Sequence, residues 1–273
     1  MAFPFTPSRP LWLLGCGNMA GAMLSRWLES GLDPAAVTIV DPMRTDAPEG
    51  VRLCAVPPAD EPAPAALLIG IKPQIFIETA GTIDALTGPE TVVISIMAGI
   101  DGATLGDRFA RAGGIVRLMP NLPAALGQGA SILHICRDGA NAHDVADALA
   151  RPLGLALWVD REALIDAGTA VSGSGPAFVY RFIDAIAKGA EKLGFAPDQA
   201  AALALATVGG AAALAAASDV SPATLADRVA SPGGTTRAGL NILDADQSID
   251  SLVARTLQAA SDRAVELAEM ARN

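Results

Sequence analysis

Short apolar runs, most of them closed by glycine, proline or aspartate, recur through the first 160 residues of the chain. They are LWLLG at 11–15, VTIVD at 37–41, AALLIGIKP at 65–73, TVVISIMAG at 91–99 and GIVRLMPNLP at 114–123, with GASILHIC and LALWVD following. Runs this short and this continuously apolar predict strands buried on both faces, which is the pattern of a largely parallel sheet. Between the first two, NMAGAMLSRWLESG has helical spacing, and Gly31 is placed as its C-terminal stop. The proline-rich patches near Pro48 and at 57–64 are expected to be loops.

Beyond Asp160 no further β-rich run occurs. AFVYRFIDAIAKGAEKLG carries apolar residues at helical spacing up to Gly194, and SPATLADRVA offers Ser221 as N-cap with Pro222 at the first helical position. SIDSLVARTLQAASDRAVELAEMA closes the chain as another long helix. The expected layout is α/β plus all-α: an α/β domain over 1–159, then a helical domain over 160–273.

Composition changes this picture little. The 273 residues are 51% hydrophobic and 18% charged, which suits buried cores. A net charge of −10 without basic clusters disfavours a nucleic-acid partner, since phosphate contacts dominate that affinity. Cys16, Cys54 and Cys136 are isolated and predict reduced thiols in a cytoplasmic protein. His134 and His143 have no ligand-like neighbour in sequence, so neither a metal site nor a histidine triad is expected. The opening MAFPFTPSRP lacks the apolar core of a signal peptide. The stretch AALALATVGGAAALAAAS, at 201–218, approaches a membrane-spanning length. Its alanines and glycines contribute little to insertion and suit close helix packing instead. It is expected to be a buried or subunit-interface helix.

Two stretches carry chemistry. GCGNMAGAM follows the first strand and opens the first helix as G-x-G-x-x-A, with Gly15, Gly17 and Ala20 at the marked positions. Gly15 permits the turn, and Gly17 lets a pyrophosphate approach the helix N-terminus at Asn18 and Met19. Asp41 ends the second strand at the spacing this fingerprint requires. The reading is a Rossmann-type dinucleotide-binding domain. Asp41 could bond the ribose hydroxyls of NADH, whereas Arg44 could clamp the extra phosphate of NADPH. The second stretch is SPGGTTRAGL at 231–240. Its glycines can expose a nest of backbone amides, and two threonine hydroxyls follow at a helix start. The turn AVSGSGPAF places small residues and a proline before another helix, and close packing alone could also account for both turns.

In order along the chain, GCGNMA, GIKPQ, SIMAGI, RLMPNLPAALGQGAS, DAGTAVSGSGPAFVYRFIDAIAKGAEKLG and SPGGTTRAGL resemble the motifs of pyrroline-5-carboxylate reductases. The resemblance runs from about Leu11 to near the C-terminus. It implies reduction of the cyclic imine 1-pyrroline-5-carboxylate to L-proline by NADPH, with NADH the alternative. It also implies a helical domain that intertwines into a homodimer, often assembled into a decamer, with the substrate pocket completed across that interface. By matching position, Thr236 is expected to bond the ring nitrogen. Ser231 and the amides of Gly233, Gly234 and Thr235 are expected to hold the carboxylate. Ser174, Gly175 and Pro176 are expected to wall the nicotinamide, with Lys72, Pro73, Met119 and Asn121 lining the cofactor. The segment between Asp41 and Leu67 is shorter and richer in proline than the family's pattern, and it is the part that meets the adenosine half. A rival reductase of the hydroxyacid type would place its lysine at Lys188 or Lys192.

Overall fold

In the computed structural model of the protein, the described residues are 2–58, 61–76 and 83–272. Eight strands form one sheet: β1 (Leu11–Leu14), β2 (Val37–Val40), β3 (Arg52–Cys54), β4 (Ala66–Ile69), β5 (Val92–Ser95), β6 (Gly114–Met119), β7 (Gly129–Arg137) and β8 (Gly154–Trp158). Their spatial order is β3-β2-β1-β4-β5-β6-β7-β8. Every pairing is parallel except that of β6 with β7. In this doubly wound arrangement the strand order reverses between β1 and β4, and ligands of such sheets bind beyond the strand C-termini at that point.

The continuous apolar runs are explained by burial on both faces. Leu11 and Leu13 of β1 join one buried cluster with Ala66, Leu68, Val92 and Ile94, while Trp12 and Leu14 join another with Leu67, Ile69 and Val93. Helices α1 (Asn18–Glu29) and α2 (Ala142–Ala150) cover the first face. Trp27 of α1 donates from Nε1 to the carbonyl of Leu149 at 2.7 Å, joining the two helices through a buried bond. Each fully buried leucine or isoleucine contributes roughly 1.5–3 kcal/mol of transfer free energy.

One strand lies in a stretch to which the sequence pattern assigns no element. Between the proline patches, Arg52–Cys54 pairs in parallel with β2 through Thr38–Arg52, Ile39–Leu53 and Val40–Cys54. Three residues are too few for any alternation to show, and tertiary pairing decides such an edge. No helix lies between β2 and β3.

Compact packing divides the chain into residues 1–174 with 260–273, and residues 175–259. Strands end at Trp158, where the sequence pattern changes. The compact division falls later because the short helix α3 (Ala163–Gly168) still packs on the sheet, with Ile165 buried against Met119 and Ile132. A Cβ at Gly168 would meet the Cδ1 end of the Ile132 side chain, so a larger residue there requires that side chain to move.

In the second unit, α4 (Gly175–Lys192) and α5 (Pro197–Ala216) are joined through Gly194 at φ +105°. They pack through Ala187, Ala200 and Ala204, with Ile183 and Ile186 beside them. α6 (Pro222–Arg228) starts at Ser221, whose Oγ accepts the amide of Thr224 at 3.2 Å. α7 (Thr235–Asp244) and α8 (Ser248–Arg272) follow. α5 is the one helix among the described residues long and apolar enough to cross a membrane. Of the two expectations for it, burial within the chain is not met, because most of its residues are exposed, Leu205 and Leu214 by more than 60%, which leaves the subunit-interface alternative.

Candidate functional site

The glycine turn sits at the C-terminal end of β1, where the strand order reverses. Gly15 has φ +79°, and a Cβ there would lie 2.6 Å from Ile71 Cγ2 and 2.9 Å from Ile71 N. Only glycine satisfies both limits. Around Gly17 there is open space, with nothing within 4 Å of a notional Cβ. The first bond of the α1 ladder runs from Gly21 N to Gly17 O at 2.8 Å, and Gly17 offers no side-chain cap. The amides of Asn18, Met19 and Ala20 therefore precede the ladder, at the positive end of the helix dipole. An unfilled glycine cradle ahead of unpartnered helix amides fits the pyrophosphate of a dinucleotide.

Asp41 and Arg44 both reach this turn. Asp41 Oδ2 accepts the amide of Cys16 at 2.9 Å, and its Oδ1 accepts the amide of Met43 at 3.0 Å. Arg44 Nη1 donates to the carbonyl of Cys16 at 2.9 Å, while Nε donates to the carbonyl of Asp46 at 2.7 Å. No partner for Arg44 Nη2 occurs among the described residues. Burial pushes the Cys16 thiol up, against the lowering effect of the Arg44 guanidinium beside it. Lys72 is exposed beyond β4, and Pro73 opens a helical turn at 73–76.

Met119 and Asn121 are both buried at the end of β6. Asn121, expected to line the cofactor, has both ends of its amide engaged within the protein instead: Nδ2 donates to the carbonyl of Ser172 at 2.9 Å, and Oδ1 accepts the amide of Ala130 at 2.9 Å. Ser172 belongs to a π-helical turn, Thr169–Gly173, closed by Ser174 N donating to Thr169 O at 2.9 Å. Such turns are rare and frequent at functional sites. Gly175 and Pro176 begin α4 directly after it.

Sequence inspection gives no role to Arg117, Glu162 or Asp166. Arg117 is 2% exposed in the middle of β6. Its Nη1 donates to Glu162 Oε1 at 2.9 Å and its Nη2 to Asp166 Oδ1 at 3.1 Å. The signal was present in GIVRLM, since a lone arginine inside a doubly buried strand requires acidic partners.

The expectation that His134 lacks a ligand-like neighbour is corrected by the fold, which brings Cys136 and Glu162 to it with ligand atoms within 4.8 Å of one another. β7 puts the histidine and cysteine on one face, and the chain after β8 supplies the acid. The Glu162 carboxylate already accepts from Arg117 and, at 2.6 Å, from the amide of Gly102. A cation would have to displace or sit beside that guanidinium. Burial, with Glu162 adding to it, pushes the Cys136 thiol up to about 11.

In the helical unit, the turn at 231–236 opens α7. Gly233 has φ +71°, and Gly234 donates its amide to Ser231 O at 3.0 Å. The ladder begins with Ala238 N to Gly234 O at 3.1 Å, so the amides of Thr235 and Thr236 stand ahead of it. Ser231, Thr235 and Thr236 are all exposed. Arg237 Nη2 donates to Asp227 Oδ1 at 2.7 Å, tying α6 to α7. Lys188 is exposed and donates to Asp184 Oδ2 at 2.7 Å along α4.

Comparison with known proteins is consistent over most of the chain. Residues 162–267 match the family model described as pyrroline-5-carboxylate reductase dimerisation, and residues 11–99 match that of NADP oxidoreductase, coenzyme F420-dependent. A pyrroline-5-carboxylate reductase of Pseudomonas aeruginosa is 37% identical over 262 residues, covering 94% of this chain and 96% of the relative. One from Pisum sativum is 33% identical, covering 87% and 88%. Among solved structures, a pyrroline-5-carboxylate reductase from Coxiella burnetii superposes with a TM-score of 0.84 at 27% identity, covering 95% and 98%.

Proposed function

The chain belongs to the pyrroline-5-carboxylate reductase family, and on that premise we propose how its residues divide the work. It is an NAD(P)H-dependent oxidoreductase that reduces the cyclic imine of 1-pyrroline-5-carboxylate to L-proline. Its helical segment is a dimerisation domain. The observation that carries the site assignment is the presence in one chain of two backbone anion cradles. One is the Gly15–Gly17 turn at the sheet's reversal point, and the other is the loop that opens α7.

The reduced nicotinamide, when bound, supplies the hydride to the imine carbon. The residues of the chain bind, orient and supply hydrogen bonds. Gly15, Gly17 and the amides of Asn18, Met19 and Ala20 receive the pyrophosphate, with Lys72, Pro73 and Met119 beside the cofactor. The substrate carboxylate rests on Ser231 and the amides of Gly233 and Thr235; Gly234, expected to join them, spends its amide on the Ser231 carbonyl and holds the loop's own shape. Thr236 bonds the ring nitrogen, where a proton must reside as the C=N bond becomes C–N. The imine is basic enough to arrive partly protonated, so an oriented hydroxyl suffices and no strong side-chain acid is needed. Ser174, Gly175 and Pro176 form the wall of the nicotinamide site.

NADPH is the preferred reductant in this reading. Arg44 Nη2 has no partner among the described residues, and both Asp41 oxygens already accept backbone amides. The exposed leucines of α5 support a subunit contact on that helix. In this reading the helical domains of a dimer intertwine, the 231–236 loop completes the pocket across the interface, and dimers assemble toward a decamer. The compartment is the cytoplasm.

The test is loss of NADPH absorbance on adding pyrroline-5-carboxylate, for the wild type and Thr236→Ala together. The wild type is expected to turn over. The variant is expected to lose on the order of a hundredfold in kcat, as when one transition-state hydrogen bond is removed, while NADPH affinity stays the same. A wild type inert with both NADPH and NADH would remove the reading.

A further inference from the structure

We propose that Arg117 and Asn121 are positioning residues for hydride transfer, acting together through the segment from Glu162 to Ser174. The inference rests on the reading that this segment ends in the wall of the nicotinamide site.

Arg117 lies within β6, and Asn121 lies two residues beyond its last residue. Arg117 grips Glu162 and Asp166, one immediately before α3 and one within it. Its side chain is 3% exposed, against 32% and 25% for the two acids, so the guanidinium is the buried anchor and the acids lie over it. Glu162 also accepts the amide of Gly102, so a third element meets at the same carboxylate. Four residues beyond Arg117, Asn121 grips the other end of the segment through the Ser172 carbonyl. The opposite end of that amide is fixed by Ala130, which leaves the side chain no second orientation with both bonds made.

What lies between the two grips explains why both are needed. The chain at 169–173 is a π turn, and an isolated π turn leaves carbonyls without their usual partners. Here the hydroxyls of Thr169 and Ser172 bond the carbonyls of Ile165 and Gly168, at 2.8 and 3.0 Å. The carbonyl of Ser172 is taken by Asn121. An ordinary α-helical turn would move every later residue of the segment around the axis by about a third of a turn for the one residue removed. The small residues at 172–174 are therefore aimed by the π geometry, and the π geometry is held by the sheet. An error of about 1 Å in such a wall is enough to cost on the order of a hundredfold in rate.

Arg117→Met would strand two acids and risks failing to fold. Two milder variants carry the test. Asn121→Asp keeps the size and the acceptor for Ala130 but removes the donor to Ser172, and Arg117→Lys keeps the charge but cannot fork to both acids. Each is assayed with NADPH and [4-2H]NADPH, and by amide hydrogen exchange across residues 162–174. The expected result is a ten- to hundredfold fall in kcat per folded molecule. The deuterium isotope effect on kcat rises as hydride transfer becomes limiting, and exchange at 169–174 is at least tenfold faster. A purely structural role would lower the melting temperature and leave kcat per folded molecule and the isotope effect unchanged, which would overturn the assignment. An inert wild type would overturn the functional reading itself, so the two failures are distinguishable.

Discussion

Asp41 and Arg44, three residues apart, hold the same residue of the glycine turn from opposite sides. Asp41 accepts the amide of Cys16 and Arg44 donates to its carbonyl, each at 2.9 Å. The acid that ends β2 is thereby part of the turn that ends β1, and the arginine bonds the same turn while its Nη2 has no partner among the described residues.

From this follows the first prediction. Arg44→Ala should lower kcat/KM for NADPH by about ten- to a hundredfold, the worth of a charge-assisted phosphate bond of roughly 1.5–3 kcal/mol. The value for NADH should change far less, and steady-state kinetics with both cofactors measures the ratio. An equal loss with both would mean that Arg44 serves only to shape the turn.

Gly15→Ala should damage both stability and cofactor binding. The new methyl would meet Ile71 at 2.6 Å, in a backbone conformation of φ +79° that alanine adopts at a cost of about 1–3 kcal/mol. Thermal unfolding should show a clear drop in Tm, and fluorescence titration should show NADPH binding weakened by at least about tenfold. The neighbouring Gly17→Ala has room for its methyl in the empty protein. It should leave Tm nearly unchanged while still weakening binding.

Leu205→Glu places a charge on the exposed apolar side of α5, away from the buried Ala200 and Ala204. Light scattering should show a shift toward monomer, and activity should fall with it if the pocket is completed between subunits. An unchanged dimer would place the interface on other helices.

Cys136 should resist alkylation in the native enzyme. Burial first, and Glu162 second, raise its thiol to about 11. At pH 8 its thiolate fraction is then on the order of a hundredfold below that of an ordinary cysteine near 8.5. Timed iodoacetamide labelling read by mass spectrometry should show the rate climbing about tenfold per pH unit up to about pH 11. Glu162→Gln removes one raising charge and should move that rise to lower pH. A plateau near pH 8.5 in the wild type would contradict the burial argument.

The sequence by itself determined the layer architecture and the local chemistry. Leu11–Leu14 and Ala66–Ile69 are apolar without alternation because both faces of the sheet are covered, and that is visible in one dimension. Gly15, Gly31 and Gly194 mark turns with positive φ because no other residue adopts them so readily. Ser221 and Pro222 start α6 for reasons confined to four residues. The two small-residue loops were legible for the same reason, since their chemistry lies in consecutive backbone amides.

Tertiary structure alone decided whatever depends on partners far apart in the chain. Arg52–Cys54 becomes a strand only because β2 offers an unpaired edge. The route of Arg44 back onto Cys16 spans 28 positions, and that of Asn121 onto Ser172 spans 51. His134, Cys136 and Glu162 meet only because β7 and β8 run side by side. A lone arginine in GIVRLM announces that acids must be near, but which acids answer depends on which residues of a distant segment the folded sheet brings within 3 Å or so of its guanidinium.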